Sequence, residues 1–236
     1  MKTKITSLLF ILISSVVFGQ TAEPVSSSKV SIGISFSPDY CYRTLNPQND
    51  FSEVIAEIRD ETEIAKIGYT VGLSLLYKSW NRVSIETGLY FSNKGYQTEF
   101  VAVYDLEPTV PIFVNRAKSN YQLYYLDIPL KLNYFVLTGR AKLFTSAGFS
   151  ANIFLDQREK VSFEDPESTE IIKSDAEFSA LSVAVILGVG IDYAINNKLN
   201  LRIEPVFRHA IIPLLDAPIK EYQYSAGANF GVYYTL

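Results

Sequence analysis

Apolar and polar residues alternate with a period of two in eight separate segments of the chain. In the segment 29–40, Ile32, Ile34 and Phe36 fall on one face and small polar residues fall on the other. This period is the side-chain spacing of a β-strand whose two faces meet different surroundings. The sequence therefore predicts an all-β protein with strands at 29–40, 67–77, 83–98, 120–135, about 141–154, 181–192, 199–208 and 222–236.

The connections between these segments follow a regular plan of short turns and long loops. The short ones lie at 78–82, about 136–140 and 196–198, and the long ones lie at 44–66, 99–119 and 156–177, with an intermediate one at 210–220. Barrels of the bacterial outer membrane have short periplasmic turns and longer external loops. The layout predicts an eight-stranded antiparallel up-and-down transmembrane β-barrel with both termini in the periplasm.

The polar face of the strands separates a membrane barrel from a soluble ligand-carrying barrel, which has the same period with the faces exchanged. A water-exposed outer surface is about a quarter to a third charged, but this face carries mainly Gly, Ser, Ala and Asn. The interior of an eight-stranded barrel has room only for small side chains. We therefore expect the apolar face to meet lipid, and a soluble barrel with an aromatic core remains the alternative.

Aromatic residues gather at two levels of the predicted barrel, as expected for the girdles at the two membrane interfaces. The lower set is Tyr77, Trp80, Tyr134, Phe135, Tyr193 and Tyr234, and the upper set is Tyr40, Tyr69, Phe91, Tyr121, Phe207 and Tyr222. Two prolines, Pro129 and Pro205, lie inside predicted strands. Because proline removes a ladder donor, we expect local bulges at both.

The amino-terminal segment has the three-part layout of a secretory signal peptide. Lys2 and Lys4 precede an apolar stretch from Ile5 to Phe18, and small residues follow. We expect residues 1–19 to be the signal peptide and residues 20–236 to form a single outer-membrane β-barrel domain. The sole cysteine, Cys41, lies too far downstream to anchor the chain through a lipid.

The few charges on the inner face of the predicted strands fall largely at one height. Glu86, Lys131, Asp192 and Arg202 each lie three or four residues from a short turn. A turn centred on Asn197 places Asp192 opposite Arg202, and Glu86 is expected near Lys131. Charges in a narrow lumen need partners because an unpaired charge is costly to desolvate. We predict a structural salt-bridged plug that includes, further up, Asp127, Glu204 and Arg208.

Residues suited to catalysis or metal binding are scarce. Histidine and cysteine occur once each, which disfavours a metal site. His209 lies near the outer rim, where a lipid-modifying hydrolase would need a Ser and an acid beside it. We recognise no such set. The sequence therefore predicts a non-enzymatic protein without a cofactor, and it shows no basic patch for nucleic acid.

The long connections are acidic, and two of them contain apolar residues. The acidic surface is either plain solvated loop or a site where divalent cations bridge to anionic lipopolysaccharide. A short helix is expected to begin at Asp50, with an apolar stripe formed by Phe51, Val54, Ile55 and Ile58. We expect this stripe to pack against a second apolar set, and a partner-binding patch is the alternative use of that set: Val110, Ile112, Phe113 and Val114.

Several strands resemble those of the PorT-like outer-membrane β-barrel family. The segment YYLDIPLKLNY at 124–134 resembles the Tyr-Leu-acidic-Ile-Pro-Leu sequence of the family's fourth strand. Other similar segments are GLYFSNKGY at 88–96, AGFSANIF at 147–154, LGVGIDY at 187–193 and the terminal GANFGVYY. The resemblance implies an outer-membrane barrel without an assigned activity, and the family's namesake is associated with protein secretion.

We therefore expect a structural, adhesion or assembly role, in contact with outer-membrane lipid and lipopolysaccharide and with envelope proteins through the external loops. The alternatives are a component of an export system and a lipid-modifying barrel enzyme.

Overall fold

The computed structural model describes residues 29–104, 114–164, 168–173, 179–214 and 217–236. The predicted signal peptide, residues 1–19, lies outside the described residues. The described ranges contain one helix, α1 (Asp50–Thr62), and these strands: β1 (Val30–Pro47), β2 (Glu63–Ile64), β3 (Lys66–Trp80), β4 (Val83–Thr98), β5 (Val101–Tyr104), β6 (Val114–Phe135), β7 (Ala141–Phe163), β8 (Ser168–Lys173), β9 (Leu181–Ala194), β10 (Leu199–Ala210) and β11 (Ile219–Thr235).

Eight of these strands close into a ring. Their order is β4, β3, β1, β11, β10, β9, β7 and β6, and β6 pairs with β4 to complete the circle. Every neighbouring pair is antiparallel, and the first long strand pairs with the last. A closed ring leaves no unpaired strand edge, which is what a β-structure in hydrocarbon requires. The predicted eight-stranded antiparallel barrel is confirmed.

The exposure of side chains follows the predicted alternation. Ile34, Leu73 and Leu130 point outward and are 58%, 64% and 62% exposed, whereas their neighbours Ser35 and Lys131 are buried inside. Apolar side chains on an outer surface are stable only where that surface meets an apolar medium. The polar residues fill the interior of the barrel, which is the arrangement of a membrane barrel.

The strands at the long-loop end are longer than the sequence predicts. β6 begins at Val114 rather than at residue 120, and β7 continues to Phe163 rather than ending at residue 154. β5 and β8 pair with their outer parts, so that four strands project beyond the ring. Charged residues such as Arg158 and Lys160 occupy these parts, and strands that meet water on both faces lack the period-two signal.

The prediction of bulges at Pro129 and Pro205 is wrong. The pairing of β4 with β6 is interrupted beside Pro129, between the pairs Thr87–Leu130 and Tyr90–Asp127. The register is the same on both sides of the interruption. The Pro129 carbonyl accepts a hydrogen bond from the Thr87 hydroxyl at 2.8 Å, and Pro205 pairs with Ala228 in register. Proline lacks the backbone N–H group and so removes one hydrogen bond of the ladder. A bulge also needs an extra residue in one strand, and neither proline adds one. The register shifts lie elsewhere, between Lys78 and Trp80 and between Tyr124 and Tyr125.

The side chain of Phe135 does not belong to the lower aromatic girdle. Phe135 is buried and packs on Phe144, with 5.8 Å between the ring centroids. Its neighbour Tyr134 points outward, and successive residues of a strand must face opposite sides. The prediction that placed both residues in the girdle is wrong for Phe135.

The predicted helix is present between β1 and β2, at the end of the barrel that we call the mouth. The helix begins at Asp50 as expected, and the residue that caps it is the preceding one, Asn49. The Asn49 side chain accepts a hydrogen bond from the Ser52 amide at 2.9 Å. Among the described residues there is no helix long and apolar enough to cross a membrane.

Candidate functional site: the charged lumen

A salt bridge crosses the full width of the barrel. Arg202 on β10 places Nη1 2.7 Å from Oε2 of Glu86 on β4, and Nη2 2.9 Å from Oδ2 of Asp192 on the adjacent β9. β4 and β10 stand opposite each other in the ring of eight. The guanidinium therefore joins opposite walls of the lumen, and the ladder sets Asp192 directly across from Arg202.

Lys131 extends this cluster towards β6. Its Nζ lies 3.1 Å from Glu86 Oε1 and 2.9 Å from Glu204 Oε2, and the ladder pairs Lys131 with Glu86. The carboxylates of this layer are Glu86, Asp192 and Glu204. Neutral side chains also donate hydrogen bonds to these carboxylates: Asn133, Ser146, Asn200, Asn229 and Tyr233.

Two aromatic rings enclose the Arg202 guanidinium. Its Cζ lies 4.5 Å from the ring centroid of Phe144 and 4.6 Å from that of Tyr233, close enough for cation–π attraction. Glycines make room for both rings. A Cβ on Gly33 would lie 2.7 Å from the Tyr233 ring, and a Cβ on Gly190 would lie 2.6 Å from the Phe144 ring. The small inner-face residues thus allow a dense layer around the arginine.

A second set of ion pairs lies nearer the mouth. Arg208 Nη1 lies 3.0 Å from Oδ1 of Asp39 on β1, and the Thr70 hydroxyl donates to the other oxygen of that carboxylate at 2.6 Å. Lys94 Nζ lies 2.9 Å from Oδ2 of Asp127. The sequence prediction included Arg208 and Asp127 but missed Asp39 and Lys94. Both continue the inward alternation of their strands, which is the signal that could have found them.

Two small spaces lie among these charged side chains. One cavity of about 30 Å³ is lined by Asp127, Lys131 and Arg208, and another of about 20 Å³ is lined by Lys94, Arg208 and Gln223. Spaces of this size hold one or two water molecules.

A third cluster fastens α1 over the mouth. Arg59 places Nε 2.7 Å from Glu63 Oε1 and Nη2 3.0 Å from Glu221 Oε2 on β11. Arg43 on β1 binds Glu63 at 2.6 Å and also pairs with Asp60. Burial would lower the pKa of Arg59, but its hydrogen bond to Glu63 and the nearby acidic groups raise that pKa above its usual value. Arg59 therefore stays charged.

The apolar stripe of α1 is turned towards the outside of the barrel. The stripe on α1 does not face the barrel, and Phe51, Val54 and Ile58 are exposed. Of the residues expected to pack on it, Val110, Ile112 and Phe113 lie outside the described residues, and Val114 is the first residue of β6.

His209, weighed above as a hydrolase residue, lies in an aromatic cluster on the outside of β10. Its ring stacks on Tyr224, with 6.3 Å between centroids and 5° between planes, and it lies 6.3 Å from the Phe207 ring. In the described ranges, no group of three His, Cys, Asp or Glu residues is arranged to hold a metal ion.

A closed ring of eight strands, apolar outside and filled with paired charges inside, defines a transmembrane β-barrel protein. The chain belongs to the outer membrane protein beta-barrel domain family, which matches residues 18–216. This membership places the protein in the cell outer membrane. No curated protein sequence matches the chain.

Solved outer-membrane structures are similar in fold at low sequence identity. Neisserial surface protein A is 12% identical, with a TM-score of 0.48 over 90% of this chain and 100% of that one. The outer membrane protease OmpT from Escherichia coli is 10% identical, with a TM-score of 0.46 over 92% and 100%. OprG from Pseudomonas aeruginosa is 12% identical, with a TM-score of 0.41 over 86% and 96%.

Proposed function

We propose that this outer-membrane protein is a non-enzymatic barrel with a plugged lumen that serves structure, adhesion or assembly at the cell surface. The observation that carries the proposal is the Arg202–Glu86 salt bridge, which joins opposite walls of the barrel. A diffusion pore needs a continuous water-filled path, and this bridge and the Lys131 bridges occupy the cross-section. The termini would lie in the periplasm, with α1 and the long loops outside.

The ring contacts of His209 on the outside of the barrel support a non-enzymatic role. His209 stacks within an aromatic cluster near the upper girdle, as a structural residue does. The proposed absence of enzymatic activity is tested directly. The purified barrel should neither cleave a denatured protein substrate nor deacylate lipid A, and either activity would refute a non-enzymatic role.

The acidic outer loops have two expected partners, lipopolysaccharide and other envelope proteins. We expect their carboxylates to meet the lipopolysaccharide layer through divalent cations, and their length would allow contact with other envelope proteins. The resemblance of residues 124–134 to the PorT-like family favours a second candidate function, a component of an export system. That subfamily assignment rests on the sequence segments alone.

Deletion of the protein separates the two candidates. The secreted proteome of the deletion strain and its attachment to surfaces are measured beside those of the parent strain. A structural or adhesive role predicts unchanged secretion with altered attachment or envelope integrity. Loss of specific secreted proteins, restored by the intact gene, would instead establish the export role.

A further inference from the structure

The helix α1 packs on the barrel with the side that carries Ser52, Ala56 and Arg59. Ser52 and Ala56 are buried against the mouth, and Arg59 binds Glu63 and Glu221 there. The apolar residues are turned away. Surface helices usually turn their apolar stripe towards the core, so this helix has the opposite arrangement, and burial against the barrel does not explain its apolar stripe.

The exposed surface of α1 has two different sectors. The apolar stripe contains Phe51 at 78% exposure, Val54 at 56% and Ile58 at 56%, with Ile55 half-buried beside them. The second sector is an acidic ridge of four exposed residues, Asp50, Glu53, Glu57 and Glu61. At about 100° per residue the stripe, the ridge and the buried side each take roughly a third of the helix circumference. The stripe therefore lies between the barrel and a row of carboxylates.

The sign of the charge decides which occupant this surface fits. A second copy of α1 would bring two acidic ridges together, and the anionic outer leaflet would repel the ridge wherever no divalent cation bridges them. A partner with positive charges is attracted instead. The spacing of the stripe, with side chains three and four residues apart, is the spacing that packs into the grooves of another helix.

We propose that the apolar stripe of α1 is a docking surface for a cationic amphipathic helix from outside the cell. The apolar side chains of the partner would cover Phe51, Val54 and Ile58, and its Lys or Arg residues would lie over Glu53 and Glu57. The inference deepens the proposed adhesion or assembly role and rests on α1 being external. It does not depend on the plugged lumen, so a conducting barrel would leave it intact.

The test uses the full barrel in nanodiscs of zwitterionic lipid, with empty nanodiscs as the blank. The probe is a fluorescent helical peptide of about 18 residues, long enough to lie along the whole of α1, built from Leu and Lys at amphipathic spacing. The control peptide has the same sequence with Glu in place of each Lys. The Lys peptide should bind saturably, and its affinity should fall as salt rises. Equal binding of the Glu peptide, or no binding of the Lys peptide, would overturn the proposal.

Variants locate the binding surface. Val54→Ser with Ile58→Ser should weaken binding of the Lys peptide by about tenfold or more, since apolar contact holds the complex. Glu53→Gln with Glu57→Gln should weaken it and flatten its salt dependence. Ile171→Ser changes an apolar residue on β8 that is at least as exposed as Val54 and Ile58, and it should have no effect. Unchanged binding in both pairs, or an equal loss with Ile171→Ser, would place the peptide elsewhere and contradict the proposal.

A fluorescence measurement tests whether lipid covers the stripe. The chain has one tryptophan, Trp80, so Phe51→Trp with Trp80→Phe gives a single reporter on the stripe. Its emission should not be quenched by brominated lipid, whereas the native Trp80 at the lipid-facing surface should be. Quenching of the Phe51→Trp reporter would show that the stripe lies in the membrane. Dimers that disappear on Ile58→Ser would show instead that a second copy covers it, and either result overturns the proposal.

Discussion

The Arg202 guanidinium lies 2.7 Å from the Glu86 carboxylate, although the two residues stand on opposite walls of the barrel. Both side chains are almost fully buried. In such surroundings the attraction between two charges is strong, and each charge depends on the other because neither can be solvated by bulk water. This bridge supports the proposal that the lumen is part of the folded core and is closed to diffusion.

Arg202→Ala should destabilise the barrel by about 3–5 kcal/mol, because the buried Asp192 loses its guanidinium partner and Glu86 keeps Lys131 as its remaining ion-pair partner. The measurement is equilibrium unfolding by urea of the protein refolded in lipid vesicles. Arg158→Ala is the matched control, since Arg158 pairs with Asp156 at the surface, where such a pair contributes about 0–1 kcal/mol. Similar losses in the two variants would mean that the lumen network does not stabilise the fold.

The sequence contains enough information to predict the ring and one layer of its interior. Each spanning strand meets lipid on one face and the lumen on the other, so alternation marks it clearly. A short turn fixes the register of two strands, which is why the positions of Asp192 and Arg202 follow from the turn centred on Asn197.

The rest of the site depends on contacts that no local pattern specifies. Arg59 and Glu221 are 162 residues apart in the chain, and the helix that carries Arg59 is placed by its packing on the mouth. The pairing of Lys94 with Asp127 depends on the register of two strands joined by a long loop, which parity alone does not set. The Asp39–Arg208 pair joins two strands that are not neighbours, because β11 lies between β1 and β10.

Gly190→Ala should destabilise the barrel by about 1–3 kcal/mol through overpacking. The added Cβ would lie 2.6 Å from Phe144 Cζ and 2.7 Å from the Ile203 carbonyl oxygen. A double-mutant cycle with Phe144→Leu, followed by the same urea unfolding, checks the cause. The smaller side chain should make the Gly190→Ala change less costly, and strictly additive effects would show that the ring is not the obstacle.

Arg59→Ala should loosen α1 without unfolding the ring. Loss of its charged hydrogen bonds to Glu63 and Glu221 should raise the rate of proteolysis within 50–62 by about tenfold or more. The strands should stay protected, as judged by the different gel migration of unheated and boiled samples. Glu57→Ala, on the exposed side of the same helix, serves as the control. If it accelerates cleavage equally, Arg59 is not the anchor.

Protease added to intact cells should cut within 44–66 or 156–177, because the proposed topology exposes the long loops to the outside. The fragments are identified by mass spectrometry. Cuts restricted to the short turn at 78–82 would mean that the barrel is inserted the other way round.

The central claim, that paired charges close the lumen, is tested most directly by planar-bilayer recording of the wild-type protein. The sample is first shown to be folded by its shift in gel migration on boiling. The account predicts little steady conductance, because Arg202 and Lys131 join facing walls of the barrel through Glu86 and Glu204. Large, stable, porin-like current steps would contradict it.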